Sequence, residues 1–213
     1  MRISIYLVIF LMNCGYISSN LIKFNNLPKP DGPFDVGSMK FYWVDESRKE
    51  WYLDSYLDKR KLMVQIWYPA LQPVDQKSMF YIERMDERLK YISNELEVPE
   101  YLLKNIVDIK SNSYKDALSI EGRFPVILFS HGLGGMRTQN SIQFEALASH
   151  GYIVVSTDHM YDSNIALYPD QNFAINLSHT DSLDGSDWYE IRNKQIDYRV
   201  GDISFLIDKL YEI

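Results

Sequence analysis

Apolar and polar positions follow two different periods along this chain. From Lys61 to Tyr68, Leu62, Val64, Ile66 and Tyr68 alternate with Met63, Gln65 and Trp67, the period of a strand, and the run stops at Pro69. Met39–Val44 is a second short strand, joined to the first by the polar, hairpin-type connection Asp45–Arg60. Ile82, Met85, Leu89, Ile92 and Leu96 recur at steps of three and four, one face of an amphipathic helix. Pro99 reopens the chain at a helix-starting position, with Leu102, Leu103, Ile106 and Val107 following. Residues 79–110 therefore read as a helical insertion. Pro125–Phe129 and Tyr152–Thr157 are continuous apolar runs, as in strands covered on both faces. Between them a helix is predicted over Asn140–His150, with Asn140 and Gln143 at capping-box spacing and Gly151 as its stop. Asp158–Asp187 reads as a long polar loop. The last helix, opened by Asp187 and Glu190, carries Ile196, Val200, Ile203, Ile207 and Leu210 on one stripe. Helices alternating with buried strands predict an α/β domain with a mostly parallel sheet.

The first residues read differently. Arg2 precedes a predominantly apolar run to Met12, and small or polar residues follow through Ser19. That run is shorter than the ~20 apolar residues a bilayer span needs, and it fits a secretory signal peptide over residues 1–19. Residues 20–213 then form the domain, opened by the proline-rich, extended lead-in Leu27–Val36. The one cysteine, Cys14, lies inside the leader, so the mature chain has no disulfide, thiolate metal site or cysteine nucleophile; lipid attachment through Cys14 is the lesser alternative to plain secretion. A net charge of −7 without a basic block argues against nucleic acid, whose phosphates need clustered Lys and Arg.

Candidate chemistry centres on Ser130-His131-Gly132-Leu133-Gly134-Gly135, where a predicted strand runs through glycines into a helix. Three readings are open. Glycine can simply relieve crowding in a tight turn. The turn can be a dinucleotide fingerprint, with Asp158 as the ribose acid, although Arg137 stands where the third glycine belongs. Or it can be an oxyanion hole, in which small residues let backbone amides face a substrate carbonyl. The last is favoured. Ser130 and His131 are strand neighbours whose side chains point to opposite faces, so they do not pair as nucleophile and base. Of the four histidines, His150 fits a helix C-terminus, His131 the turn itself, and His159 and His179 the protein surface; a His131–Asp158–His159 metal cluster is the alternative use of His131 and His159. Asn176-Leu177-Ser178 is an N-glycosylation tripeptide.

Phe124–Thr138, Leu147–Val155, Leu27–Gly37, Trp67-Tyr68-Pro69 and Ile191–Gln195 with Arg199 together resemble, in order and spacing, the platelet-activating factor acetylhydrolase family. The resemblance implies the N-terminal part of an α/β-hydrolase fold, incomplete after its fourth strand, in a secreted or intracellular serine esterase. It implies hydrolysis of the sn-2 acetyl or short acyl ester of platelet-activating-factor-like phospholipids, with no metal and no cofactor. Partners would be the phospholipid and a membrane or lipoprotein surface. On this reading the Leu133 N–H is an oxyanion donor, with Gly132 and Gly134 shaping the substrate loop. The family's G-x-S-x-G elbow has no counterpart here, since none of the ten glycines has Ser two residues downstream. Nucleophile, acid and base are thus expected beyond Ile213, and the chain is expected to be a fragment, inactive alone. The alternative is a non-catalytic truncated paralogue that binds lipid or a partner subunit.

Overall fold

A computed structural model describes residues 27–52, 58–72, 76–103, 106–170, 172–177 and 185–213. The leader with Cys14, His179, and Ser178 of the glycosylation tripeptide lie outside the described residues. The strands are β1 (Asp35–Lys49), β2 (Lys59–Ala70), β3 (Ser78–Phe80), β4 (Lys110–Lys115), β5 (Val126–Ser130), β6 (Ile153–Asp158), β7 (Ile165–Leu167) and β8 (Phe173–Ile175). The helices are α1 (Met85–Glu95), α2 (Glu100–Leu103), α3 (Ser141–Ser149) and α4 (Gly185–Leu210). Six strands form one sheet in the order β3-β4-β1-β2-β6-β5, and β7 and β8 make a separate antiparallel pair.

The class is α/β, but the sheet is mixed rather than mostly parallel. β1–β2, β2–β6 and β3–β4 pair antiparallel, leaving β1–β4 and β5–β6 parallel. The reason lies in β1 and β2, each far longer than the hydrophobic pattern suggests. They form a ribbon whose register runs from Asp35↔Ala70 to Asp45↔Arg60, with a bulge before Lys49↔Lys59. Pro69 sits inside it opposite Val36. The alternation in β2 splits the core as expected. Leu62, Val64, Ile66 and Tyr68 pack with Val155 and Leu206 on the α4 face. Trp67 packs with Phe144, Ala148 and Val154 on the α3 face.

Three elements depart from expectation. The insertion is smaller than residues 79–110, because Ser78–Phe80 and Lys110–Lys115 are strands that extend the main sheet; between them, α1 buries Met85, Leu89 and Ile92 as its period predicts. Helix α3 makes no side-chain cap through Asn140, whereas Gly151, at φ +91°, ends it as expected. The segment after β6 begins as buried chain rather than solvated loop: residues 159–168 are all buried and include β7, while 169, 170, 172 and 173 are exposed.

The largest departure concerns α4. Periodicity predicts Ile196, Val200 and Ile207 inward, yet they are 57%, 59% and 37% exposed. The helix instead turns Gln195, Asp202 and Leu206 into the protein. Its polar side faces the sheet because charged partners wait there. Arg60 on β2 grips the Asp202 carboxylate through Nε at 2.9 Å and Nη2 at 2.7 Å, and Glu50 through Nη1 at 2.6 Å. Arg48, on the β1 bulge, adds a bond to Asp202 at 2.9 Å. A buried ion pair with its hydrogen bonds satisfied is worth little against an apolar substitute, but removing one member leaves an uncompensated charge.

Two outcomes follow. Arg60→Met should lower unfolding stability by about 3–5 kcal/mol in urea titration, because Asp202 and Glu50 lose their shared partner; a loss under about 1 kcal/mol would contradict the clamp. Acid should weaken the fold in two stages. Burial pushes His131 from 6.5 down to about 4, so between those values the unfolded chain takes up a proton that the folded chain refuses, and stability falls. Burial opposes ionisation of Glu83, but the Arg137 and Lys40 charges outweigh it and hold the carboxyl near 2. Its contribution is complete above 4.5 and is lost as pH falls toward 2. The urea midpoint should therefore drop continuously from pH 7 to pH 3.

Candidate active site

β5 and β6 run parallel, and their C-terminal ends carry Ser130-His131 and Asp158-His159 side by side. The carboxyl ends of such strands are where α/β sheets hold ligands. The glycine turn after β5 is fixed from several directions. The Gly134 N–H donates to the Asp162 carbonyl at 2.9 Å, and the Asn164 N–H donates to the Gly135 carbonyl at 2.8 Å. Arg199 of α4 donates through Nη1 to the His131 carbonyl at 2.8 Å and through Nε to the Asp162 carboxylate at 2.9 Å. Gln195 and Tyr52 add bonds to the same carboxylate, each at 3.0 Å. At the far end of the turn, the Arg137 N–H donates to Asp158 at 2.7 Å and its guanidinium pairs with Asp158 and Glu83.

The peptide between Gly132 and Leu133 lies at the centre of this turn. Its carbonyl accepts from the Gly135 N–H at 3.0 Å and lies 2.6 Å from His131 Nδ1. A carbonyl only accepts, so Nδ1 bears the proton and Nε2 is the acceptor. That nitrogen receives the His159 N–H at 3.1 Å and lies 2.8 Å from Ser163 Oγ. Burial keeps the ring neutral, pushing it down to about 4. In a trans peptide the N–H points opposite to the C=O. With the carbonyl held inward by His131, the Leu133 N–H is turned outward, and among the described residues no protein group accepts it. Leu133 is 44% exposed, and a Cβ on Gly132 would meet no atom within 4 Å. Gly134 takes φ +69°, where a side chain would be strained.

Asp158 is fully buried against Arg137, so it is not offered to a ribose. In the His131–Asp158–His159 grouping the donor atoms are already spent, since both nitrogens of each ring and the Asp158 carboxylate are engaged within the protein. His150 stands at the end of α3 and meets Asp31 through Nε2 at 2.9 Å.

His159 corrects the surface assignment: it is fully buried. Its Nδ1 lies 2.8 Å from Asp202 Oδ2 and its Nε2 lies 2.8 Å from Ser130 Oγ. Ser130 and His131 do not pair with one another, as their opposed directions predict, but Ser130 pairs with a histidine from the next strand end. This grouping escapes sequence reading because its members lie 29 and 43 residues apart. No local signal singled out Asp202, which is one of several acidic residues along α4.

The family described as platelet-activating factor acetylhydrolase, isoform II, matches residues 20–213. A platelet-activating factor acetylhydrolase of Canis lupus familiaris is 27% identical over 205 residues, covering 90% of this chain and 43% of that protein. Its namesake from Cavia porcellus is 28% identical over 150 residues, covering 67% and 30%. This chain thus spans less than half the length of these curated relatives. A ferulic acid esterase from Streptomyces cinnamoneus shares the fold, with a TM-score of 0.67 and 23% identity over 86% of this chain and 48% of that one.

The turn's packing separates two glycines. Gly132→Ala should leave the thermal midpoint unchanged within about 1 °C, because its methyl enters open space. Gly135→Ala should lower it by several degrees, since a Cβ there falls 2.2 Å from Gln139 Oε1 and 3.0 Å from the Gly132 carbonyl. Equal effects would contradict the described turn.

Proposed function

Because the chain belongs to the platelet-activating factor acetylhydrolase, isoform II, family, we propose that it supplies the oxyanion loop of a secreted ester hydrolase. Its substrates are phospholipids with an acetyl or other short acyl chain at the sn-2 position. The outward Leu133 N–H carries this reading. As a nucleophile adds to the ester carbonyl, negative charge gathers on the oxygen, and an amide already aimed at that position stabilises it without reorganising. Gly132 leaves the approach open, and Gly134 lets the chain turn without a side chain in the way. His131 fixes the donor's direction, and Arg199 with Asp162 fixes the turn.

The attacking serine, in a G-x-S-x-G elbow, and its acid and histidine are proposed to come from outside these 213 residues, which alone complete no phospholipid turnover. Secretion through the leader and work at a lipid surface belong to the same proposal. A second reading, non-catalytic binding of lipid or a partner subunit, is favoured by one observation. Ile196, Val200 and Ile207 are exposed on α4, and an apolar cavity of about 330 Å³ is lined by Val126, Ile153, Val155, Leu210 and Ile213.

Reading the transcript downstream of Ile213 tests the first proposal: a G-x-S-x-G codon run should follow within roughly 30 codons, the spacing such a fold allows. In the encoded full-length protein, Leu133→Pro removes the donor and should lower kcat on a short-acyl phospholipid by about 10²–10³ with little change in KM. A change under threefold, with the fold intact by circular dichroism, would overturn the oxyanion role. Lipid binding by the full-length protein without any turnover would favour the second reading.

A further inference from the structure

Asp202, His159 and Ser130 form an unbroken hydrogen-bonded line inside this chain. Asp202 Oδ2 is 2.8 Å from His159 Nδ1, and His159 Nε2 is 2.8 Å from Ser130 Oγ. The carboxylate is ionised: burial alone would raise it, but the His159 hydrogen bond and the Arg60 charge outweigh burial and hold it well below the usual carboxylate range. An ionised carboxylate only accepts, so His159 carries its proton on Nδ1 and presents a lone pair at Nε2. The Ser130 hydroxyl therefore donates to that lone pair. This is the tautomer and polarity in which a histidine takes the proton of a nucleophilic serine.

The burial is graded in the sense such a site needs. His159 and Asp202 are fully buried, while Ser130 is exposed at the end of β5. Ser130 shares the parity of Leu128, which packs on the α4 side of the sheet, and that places its hydroxyl over the helix that carries Asp202. Burial pushes His159 below its ordinary value, so it is neutral near pH 7 and free to accept a proton. The Leu133 N–H, without a protein acceptor, lies three residues along the same turn. Such a constellation is recognised by geometry and roles rather than by chain order.

We propose that Ser130 is a covalently reactive serine, activated by His159 and Asp202, that takes acyl groups from activated short-chain esters. In the forward step the Ser130 Oγ forms a bond to the acyl carbon while its proton passes to His159 Nε2. The ester C–O bond then breaks, the leaving alcohol takes that proton, and acyl-Ser130 remains. Water repeats the sequence, giving its proton to Nε2, releasing the acid and restoring the hydroxyl. Arg60 and Arg48 share the charge of Asp202, which tempers the base and limits the site to good leaving groups. The site does not rest on the proposed phospholipid hydrolysis. The elbow serine of that proposal is not among these residues, so an adduct on this chain reports Ser130 alone.

The test is to treat the 213-residue protein with a fluorophosphonate probe, which forms a phosphonyl–serine bond with loss of fluoride, and to locate the adduct by intact mass and peptide mapping. One equivalent should be found on the peptide carrying Ser130. Ser130→Ala should abolish it, and Ser204→Ala, at an exposed position of α4, should not. His159→Gln should slow labelling by about 10²-fold or more, the contribution of a positioned base. Circular dichroism confirms that each variant is folded, and if His159→Gln unfolds, the Ser130→Ala comparison decides. No adduct, an adduct elsewhere, an adduct that survives Ser130→Ala, or unchanged labelling in folded His159→Gln would each overturn the proposal and leave the line a packing contact between β5 and α4.

Discussion

One buried carboxylate organises this structure. Asp202 receives Arg60 from β2, Arg48 from the β1 bulge and His159 from the end of β6. Those donors come from positions 43 to 154 residues away in sequence. Their convergence holds α4 beneath the sheet by its polar side and leaves an apolar stripe outside. The arrangement is costly to break because each partner is already out of water, so losing any one strands the others. It also fixes His159, whose main chain and ring then govern what lies above.

From His159 two lines of hydrogen bonds run toward the strand ends. The backbone N–H reaches His131 and so settles which of its nitrogens bears the proton. That proton grips the Gly132 carbonyl, and planarity of the peptide does the rest by turning the Leu133 N–H outward. The ring of His159 reaches Ser130 instead. Both the amide and the hydroxyl therefore depend on a carboxylate neither of them touches. Arg199, one helical turn before Asp202, ties the same helix directly to the His131 carbonyl. Helix α4 thus positions the turn as well as packing the sheet.

Much of the framework was legible in the chain. The alternation in β2, the apolar runs of β5 and β6, and the α1 stripe each reflect a local period that packing then uses. The glycine turn was legible because φ > 0 at Gly134 and the crowding at Gly135 are demands that few residues meet. The inward face of α4 was not. Gln195, Asp202 and Leu206 have helical spacing, but two of the three are polar, so a periodicity rule chooses the opposite stripe. β4 (KSNSYK) is short and polar, and it is a strand only because β1 and β3 flank it. Asp158, His159 and Asp162 look solvated in sequence, and they are buried because Arg137, Asp202 and Arg199 answer them across the fold. Such pairings are non-local, and a single sequence does not display them.

The central claim is that the Leu133 N–H is left free and outward while its neighbours are held. Amide hydrogen exchange, resolved by residue in the 213-residue protein, tests it most directly. The account predicts that the Leu133 amide exchanges at close to the rate of an open chain, while the Gly134 and Gly135 amides are slowed by their carbonyl partners. Slow exchange at Leu133, matched to Gly134, would mean that the amide is bonded within the protein and that the turn offers nothing to a substrate carbonyl.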